Sequence, residues 1–167
     1  YGNVFLRCAE ANFGGVQIHG GKDNIVDNNV FVDCKQAVSF SGWGQKRWEQ
    51  FLDEGMASKA LKDVDITRPP YSTRYPELAA LREKADSNHI WRNVAVNCGQ
   101  FAVRDRGVND FAGNYITGSD REFTDPAERE SRLKKIKAVA GDHLSAPIPF
   151  DEIGLYADEL RRNIDAN

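Results

Sequence analysis

Six polar residues occupy alternating positions of three similar segments, and they are the residues best placed to do chemistry. Gly15-Val-Gln-Ile-His19, Ala37-Val-Ser-Phe-Ser41 and Ala102-Val-Arg-Asp-Arg106 align when Val16, Val38 and Val103 are set as inward residues. Gln17, Ser39 and Arg104 then form one outward row, and His19, Ser41 and Arg106 the next. An imidazole such as His19 can act as a base near neutral pH or orient a hydroxyl; it can equally be a surface histidine beside the Gly20-Gly21 turn. Arg104 and Arg106 can bind a carboxylate through paired hydrogen bonds, or form salt bridges with Asp105, Asp110 or Glu122. Asp105 falls in the inward phase of Ile18 and Phe40, where a carboxylate needs a partner. It either holds an arginine at a corner or turns with a twisted last rung to face the same surface. Trp43, Trp48, Tyr71 and Tyr75 add flat aromatic faces. Trp48 is read as packing the inserted helix onto the coils, whereas Tyr71 and Arg74 lie in an irregular stretch suited to binding.

These rows need a scaffold that repeats, and the chain contains one. Three segments place Asn five residues before Cys: Asn3 and Cys8, Asn29 and Cys34, Asn93 and Cys98. A weaker copy runs through Asn109 and Asn114. Within each copy apolar residues alternate with others, which is strand periodicity. The alternation puts Val30, Val32 and Cys34 inside, with Phe31 and Asp33 outside. Short strands also precede each asparagine, at 24–27 and 88–91, and follow each cysteine. Three strands per unit, recurring every 21 to 26 residues, indicate a solenoid. Right-handed coiling is expected, because parallel crossovers are right-handed in nearly all cases. Asparagine suits the corners, where it tolerates a left-handed backbone and can hydrogen-bond along the stack. The fold class is therefore an all-β solenoid, a right-handed parallel β-helix of about four coils, with residues 1–41 and 88–120 forming the coils.

From Asn29 to Asn93 the spacing grows to 64 residues, so roughly 40 residues are inserted in one turn. The insertion, 42–87, reads as largely helical: Trp48, Phe51 and Leu52 share a helix face, and Pro76 suits the first position of a helix carrying Leu78 and Leu81. A loop this long usually serves a function or covers something. Residues 121–167 read as a helical cap on the last coil, with Asp125 and Pro126 starting a helix and Gly141 ending it. The chain opens inside a repeat at Tyr1, so further coils upstream, or another chain, are expected to cover that end.

Composition narrows the classes. With 22 basic and 25 acidic residues the net charge is -3, and no basic stripe invites nucleic acid. No apolar run is long enough to span a membrane. The three cysteines share one phase of the repeat, which predicts buried free thiols stacked in the interior. No zinc-ligand, P-loop, dinucleotide or zinc-protease spacing is present, so neither metal nor cofactor is expected.

The stretches Gly14-Gly-Val-Gln-Ile-His-Gly-Gly-Lys-Asp-Asn-Ile-Val-Asp-Asn-Asn-Val-Phe-Val-Asp-Cys34, Pro69-Pro-Tyr-Ser-Thr-Arg-Tyr-Pro-Glu-Leu78, Phe123-Thr-Asp-Pro126 and Pro149-Phe-Asp-Glu-Ile-Gly-Leu-Tyr156 carry a family likeness. The chain resembles the C-terminal part of secreted bacterial parallel β-helix proteins of the pectate-lyase-like superfamily. Residues 128–145 depart from that family's short strand-like ending. The resemblance implies a secreted or periplasmic, carbohydrate-active domain. It would be a glycoside hydrolase or polysaccharide lyase that binds a polysaccharide or oligosaccharide on the outer face of one sheet. On that reading His19, Arg104 and Asp105 are the catalytic candidates, and Gln17, Ser39, Ser41, Trp43, Tyr71, Arg74 and Arg106 contact sugar. A hydrolase needs two carboxylates about 5 to 9.5 Å apart, and no outward pair is evident on this sheet. A lyase needs a base and a cation on the uronate; calcium can assist such enzymes, though no acid cluster for it is evident. The alternative is a non-catalytic carbohydrate-binding or structural β-helix module.

Overall fold

The computed structural model describes residues 1–9, 12–118, 138 and 141–148. Among the described residues, ten short strands wind into three parallel sheets. The first sheet joins β1 (Val4–Leu6), β4 (Val30–Val32), β7 (Val94–Val96) and β10 (Tyr115–Thr117). The second joins β2 (Val16–Ile18), β5 (Gln36–Phe40) and β8 (Gln100–Val103), and the third β3 (Ile25–Asp27), β6 (His89–Trp91) and β9 (Asp110–Ala112). All pairings are parallel and join equivalent strands of successive repeats. The architecture is a parallel β-solenoid.

Corners are made by single residues in the left-handed region. Gly2, Asn28, Arg92 and Gly113 each precede a repeat asparagine and have φ of 74°, 54°, 50° and 63°. The asparagines that follow do not take the left-handed backbone themselves, but they do hydrogen-bond along the stack as expected. Asn3 donates its Nδ2 to Asn29 Oδ1, Asn29 to Asn93 Oδ1, and Asn93 to Asn114 Oδ1, all at 3.0 Å. Each backbone N–H bonds the same oxygen, so one side-chain carbonyl satisfies two buried donors. A second column, Asn24 to Asn88 to Asn109, runs at the opposite end of the third sheet.

A second set of left-handed residues, Arg7, Asp33 and Asn97, stands just before each cysteine, with φ of 51 to 53°. This corner overturns the expected phase of the first sheet. Because the chain turns at Asp33, Cys34 faces the interior while Val30 and Val32 face outward. Phe31 and Ala95 point inward, both 0 % exposed, and Phe31 stacks on Phe5 with centroids 4.7 Å apart. Cys8, Cys34 and Cys98 are free thiols packed in the same interior cluster. The outward valines are not left to water: Leu144 and Ile148 pack against Val4, Val30, Val32, Val94 and Val96. Asn28 holds that segment through Ala146 N–H, Ala146 O and the Ser145 hydroxyl. Gly141 lies within a helical turn rather than ending one. The helix start expected at Asp125 and Pro126 falls outside the described residues.

Between β5 and β6 the chain leaves the solenoid and forms helices α1 (Gly44–Asp53), α2 (Met56–Asp63) and α3 (Tyr71–Arg74), then a 3-10 turn at Pro76–Ala80. Trp48 and Leu52 are the buried face of α1. Trp48 stacks on Phe51 and donates Nε1 to Leu81 O at 2.8 Å, so these contacts pack the insertion onto itself instead of onto the coils as expected. The insertion is tied to the solenoid by Lys22, whose ammonium donates to the carbonyls of Ala80 and Glu83.

Candidate functional site

Sheet twist and register decide which polar side chains meet on the outer face of the second sheet. Val16 pairs with Val38, Gln17 with Ser39 and Ile18 with Phe40. One rung on, Val38 pairs with Ala102 and Ser39 with Val103. The third segment is therefore shifted by one residue from the alignment that put Val103 inward. Val103 continues the row of Gln17 and Ser39, and β8 ends there. Arg104 has φ 58°, so Arg104–Arg106 form a corner instead of a rung, and Arg106 does not extend the row of His19 and Ser41.

Arg104 nevertheless reaches the face by length. Its Nε donates to Phe40 O at 2.9 Å and its Nη2 to Gln17 Oε1 at 3.0 Å. Gln17 Oε1 also accepts from the Ser39 hydroxyl, and Gln17 Nε2 donates to Ser41 Oγ at 2.8 Å. Ser39 Oγ in turn receives Gly14 N–H at 2.7 Å, and Ser39 is 0 % exposed. Ser39 is thus a support beneath the surface and not a sugar contact. The guanidinium lies 5.5 Å over the ring of Phe13, a cation–π contact, and among the described residues no carboxylate pairs with it.

His19 is exposed and meets Trp43 edge to face, centroids 6.2 Å apart. Trp43 lies so close to Gly20 that a Cβ there would meet the indole at 2.7 Å, and Gly20 has φ +99°; both facts demand glycine. The Arg47 guanidinium lies over the indole, 4.3 Å from its centroid. Asp86, a carboxylate that no sequence signal singled out, holds this corner. It is 8 % exposed, accepts Gly44 N–H at 2.6 Å, donates its N–H to Gly21 O and receives Val108 N–H on its carbonyl.

The remaining candidates lie apart from this group. Asp105 is exposed and accepts Asn109 Nδ2 at 2.5 Å, so it ends the second asparagine column and neither burial nor an arginine explains it. Arg106 is exposed, its Cβ beside Gly42. Tyr71 and Arg74 are exposed on α3, and the Arg74 guanidinium lies 5.8 Å over its neighbour Tyr75. The insertion itself encloses a cavity of about 670 Å³ walled by Leu61, Val64, Ile66, Ser72, Leu78 and Leu81. Among the described residues no group of three or more His, Cys, Asp or Glu side chains is gathered for a metal ion, and no helix is long and apolar enough to cross a membrane.

Titration adds one feature in the interior. Hydrogen bonding between the Cys34 and Cys98 thiols couples their titration. That bond brings the Cys34 thiol down to about 7 against the effect of burial, and pushes the Cys98 thiol up. No protein-family model, curated protein or solved structure matches this chain. Its class is thus defined by its geometry: a parallel β-solenoid with a polar, arginine-bearing sheet face beside a helical insertion.

Proposed function

We propose that the chain is a right-handed parallel β-helix of about four coils, of the pectate-lyase-like kind, and that the outer face of its second sheet contacts an extracellular polysaccharide. The observation that supports this reading is Arg104, a cation fixed by Phe40 O and Gln17 and paired with no acid among the described residues. A fixed guanidinium presents paired donors to a carboxylate at little further entropic cost. His19, at the end of β2, supplies a basic nitrogen and is held edge to face by Trp43. The face carries no pair of carboxylates among the described residues, so of the two reactions a lyase fits better than a hydrolase. In that reaction His19 takes the C5 proton, Arg104 stabilises the charge that develops on the carboxylate, and the C4–O bond breaks as the C4–C5 double bond forms, the leaving oxygen taking a proton from water.

A second reading, a binding module without a reaction, draws on the same network. Gln17 has both ends of its amide engaged by Ser39, Ser41 and Arg104. Satisfied groups position a surface without being poised for proton transfer. The test separates the two. Affinity electrophoresis against polygalacturonate, alginate and a neutral glucan measures retention; reducing ends and unsaturated-uronate absorbance measure cleavage. Arg104→Ala is expected to weaken retention of an acidic polymer about tenfold or more. His19→Ala is expected to remove product while leaving retention in place if a reaction occurs. Retention by the parent protein that Arg104→Ala leaves unchanged, or no retention of any polymer, would sink the assignment.

A further inference from the structure

The third sheet carries a second constellation that the second-sheet reading does not use. In β6, Ile90 is 0 % exposed and faces the core, which turns His89 and Trp91 outward. Register sets Ile25, His89 and Asp110 in one outward row, and Asp27, Trp91 and Ala112 in the next. The indole is held in place, because Trp91 Nε1 donates to Asp110 Oδ2 at 2.9 Å. His89 leans on it at 4.5 Å and 45°, a tilt that covers less of the indole than a parallel stack would. Asp27 is gripped by the Arg92 guanidinium through both oxygens. On the far side of Trp91 stands Ala112, exposed and small.

We propose that this face is a second saccharide-contact surface, with Trp91 as its platform, and that it takes a neutral pyranose chain. An immobilised indole stacks on the apolar face of a pyranose without losing rotamer freedom. Flanking planar polar groups are what sugar hydroxyls need, and Asp110, Asp27, Arg92 and His89 supply acceptors and donors on both sides. The charge pattern selects against acids. Arg92 is already neutralised by Asp27, and Asp110, its side chain 59 % exposed, has among the described residues no Lys or Arg paired with it, only the Trp91 N–H and His89, Nδ1 to Oδ2 4.0 Å. An incoming carboxylate would meet Asp110 without a free guanidinium to pair with, which is the reverse of the situation at Arg104. The two faces share a ligand class but no residue, so each can fail alone.

Amide NMR of the 15N-labelled chain, titrated with cellohexaose, mannohexaose, xylohexaose and trigalacturonate, tests the proposal. At least one neutral hexasaccharide should shift residues 89–92 and 110–112. Trp91→Ala should weaken that binding about tenfold or more, and Trp91→Phe less, since the ring face survives. Ala112→Arg, a change at an exposed position, should block the same site without touching Trp91, and it decides the matter if Trp91→Ala fails to fold. Arg104→Ala should leave neutral binding unchanged. No shift with any neutral hexasaccharide at millimolar concentration overturns the proposal, as does full binding by Ala112→Arg. Trigalacturonate shifting this face as strongly as the neutral sugars overturns the stated selectivity.

Discussion

Replacing Asn93 by alanine removes few atoms and is expected to damage the solenoid severely. Asn93 is 0 % exposed. Its Oδ1 accepts the backbone N–H and the Nδ2 of Asn29, both at 3.0 Å. Its Nδ2 donates to Val26 O at 2.9 Å and to Asn114 Oδ1 at 3.0 Å. Some partners keep other bonds: Asn114 Oδ1 still receives Asn93 N–H, and Asn29 Nδ2 still reaches Asp27 O. The Asn29 N–H, buried, is left with none. One orphaned donor and three further lost bonds together cost about 5 kcal/mol. Asn3→Ala, at the exposed end of the same column, should cost only about 1 kcal/mol. Urea denaturation of both variants measures the difference, and a gap under about 1 kcal/mol would refute the claim that the column is a satisfied buried network. The aspartate variant sharpens the test. Asn93→Asp would aim a carboxylate oxygen at Val26 O and Asn114 Oδ1, so burial and repulsion raise its pKa above the unfolded value. Stability carried by the protonated form is present at low pH and lost as pH rises through that raised pKa. Asn93→Asp should therefore be less damaging near pH 4 than at pH 7; the opposite order contradicts the bonding scheme.

Other expectations follow from single contacts. Phe31→Ala should cost about 3 to 5 kcal/mol, because Phe31 fills the interior against Phe5; a loss under about 1 kcal/mol would return Phe31 to the outer face. Ile148→Ala should cost about 2 to 4 kcal/mol and speed amide exchange in β4 and β7, whose outer valines it covers. Cys98→Ala removes the hydrogen bond that lowers the Cys34 thiol, so thiolate absorbance, which should rise near pH 7 in the parent, should rise at higher pH in the variant. Asp86→Ala frees Gly44 N–H and should let Trp43 move off Gly20, seen as a red shift in tryptophan emission; an unchanged spectrum argues against Asp86 as the anchor of that corner.

The residues that recur at fixed spacing were legible, because a repeat that stacks must place like on like. Asn3, Asn29, Asn93 and Asn114 form one column, and Cys8, Cys34 and Cys98 form another inside the coils. The candidate site was legible only in part. Gln17, Ser39, Ser41 and Arg104 do converge, but Asp105 and Arg106 turn away at a corner. Trp91 reads from sequence only as an outward packing residue on another sheet, and Asp86 is not singled out. A register shift of one residue is invisible when Ala102 and Val103 are both small apolar residues and either fits an inward position.

Sequence by itself determined the period, the parallel stacking and the identity of the columns, since these depend on spacing and on side chains that must pair with their own kind. Tertiary structure decided which way the strands face and which polar groups meet. Left-handed residues at Asn28, Asp33, Arg92, Asn97 and Arg104 reset the alternation at each corner, and nothing in the pattern of apolar residues announces them. A valine on the outer face became a core residue only because Leu144 and Ile148 return more than a hundred residues later to cover it, a contact that only the folded chain can make.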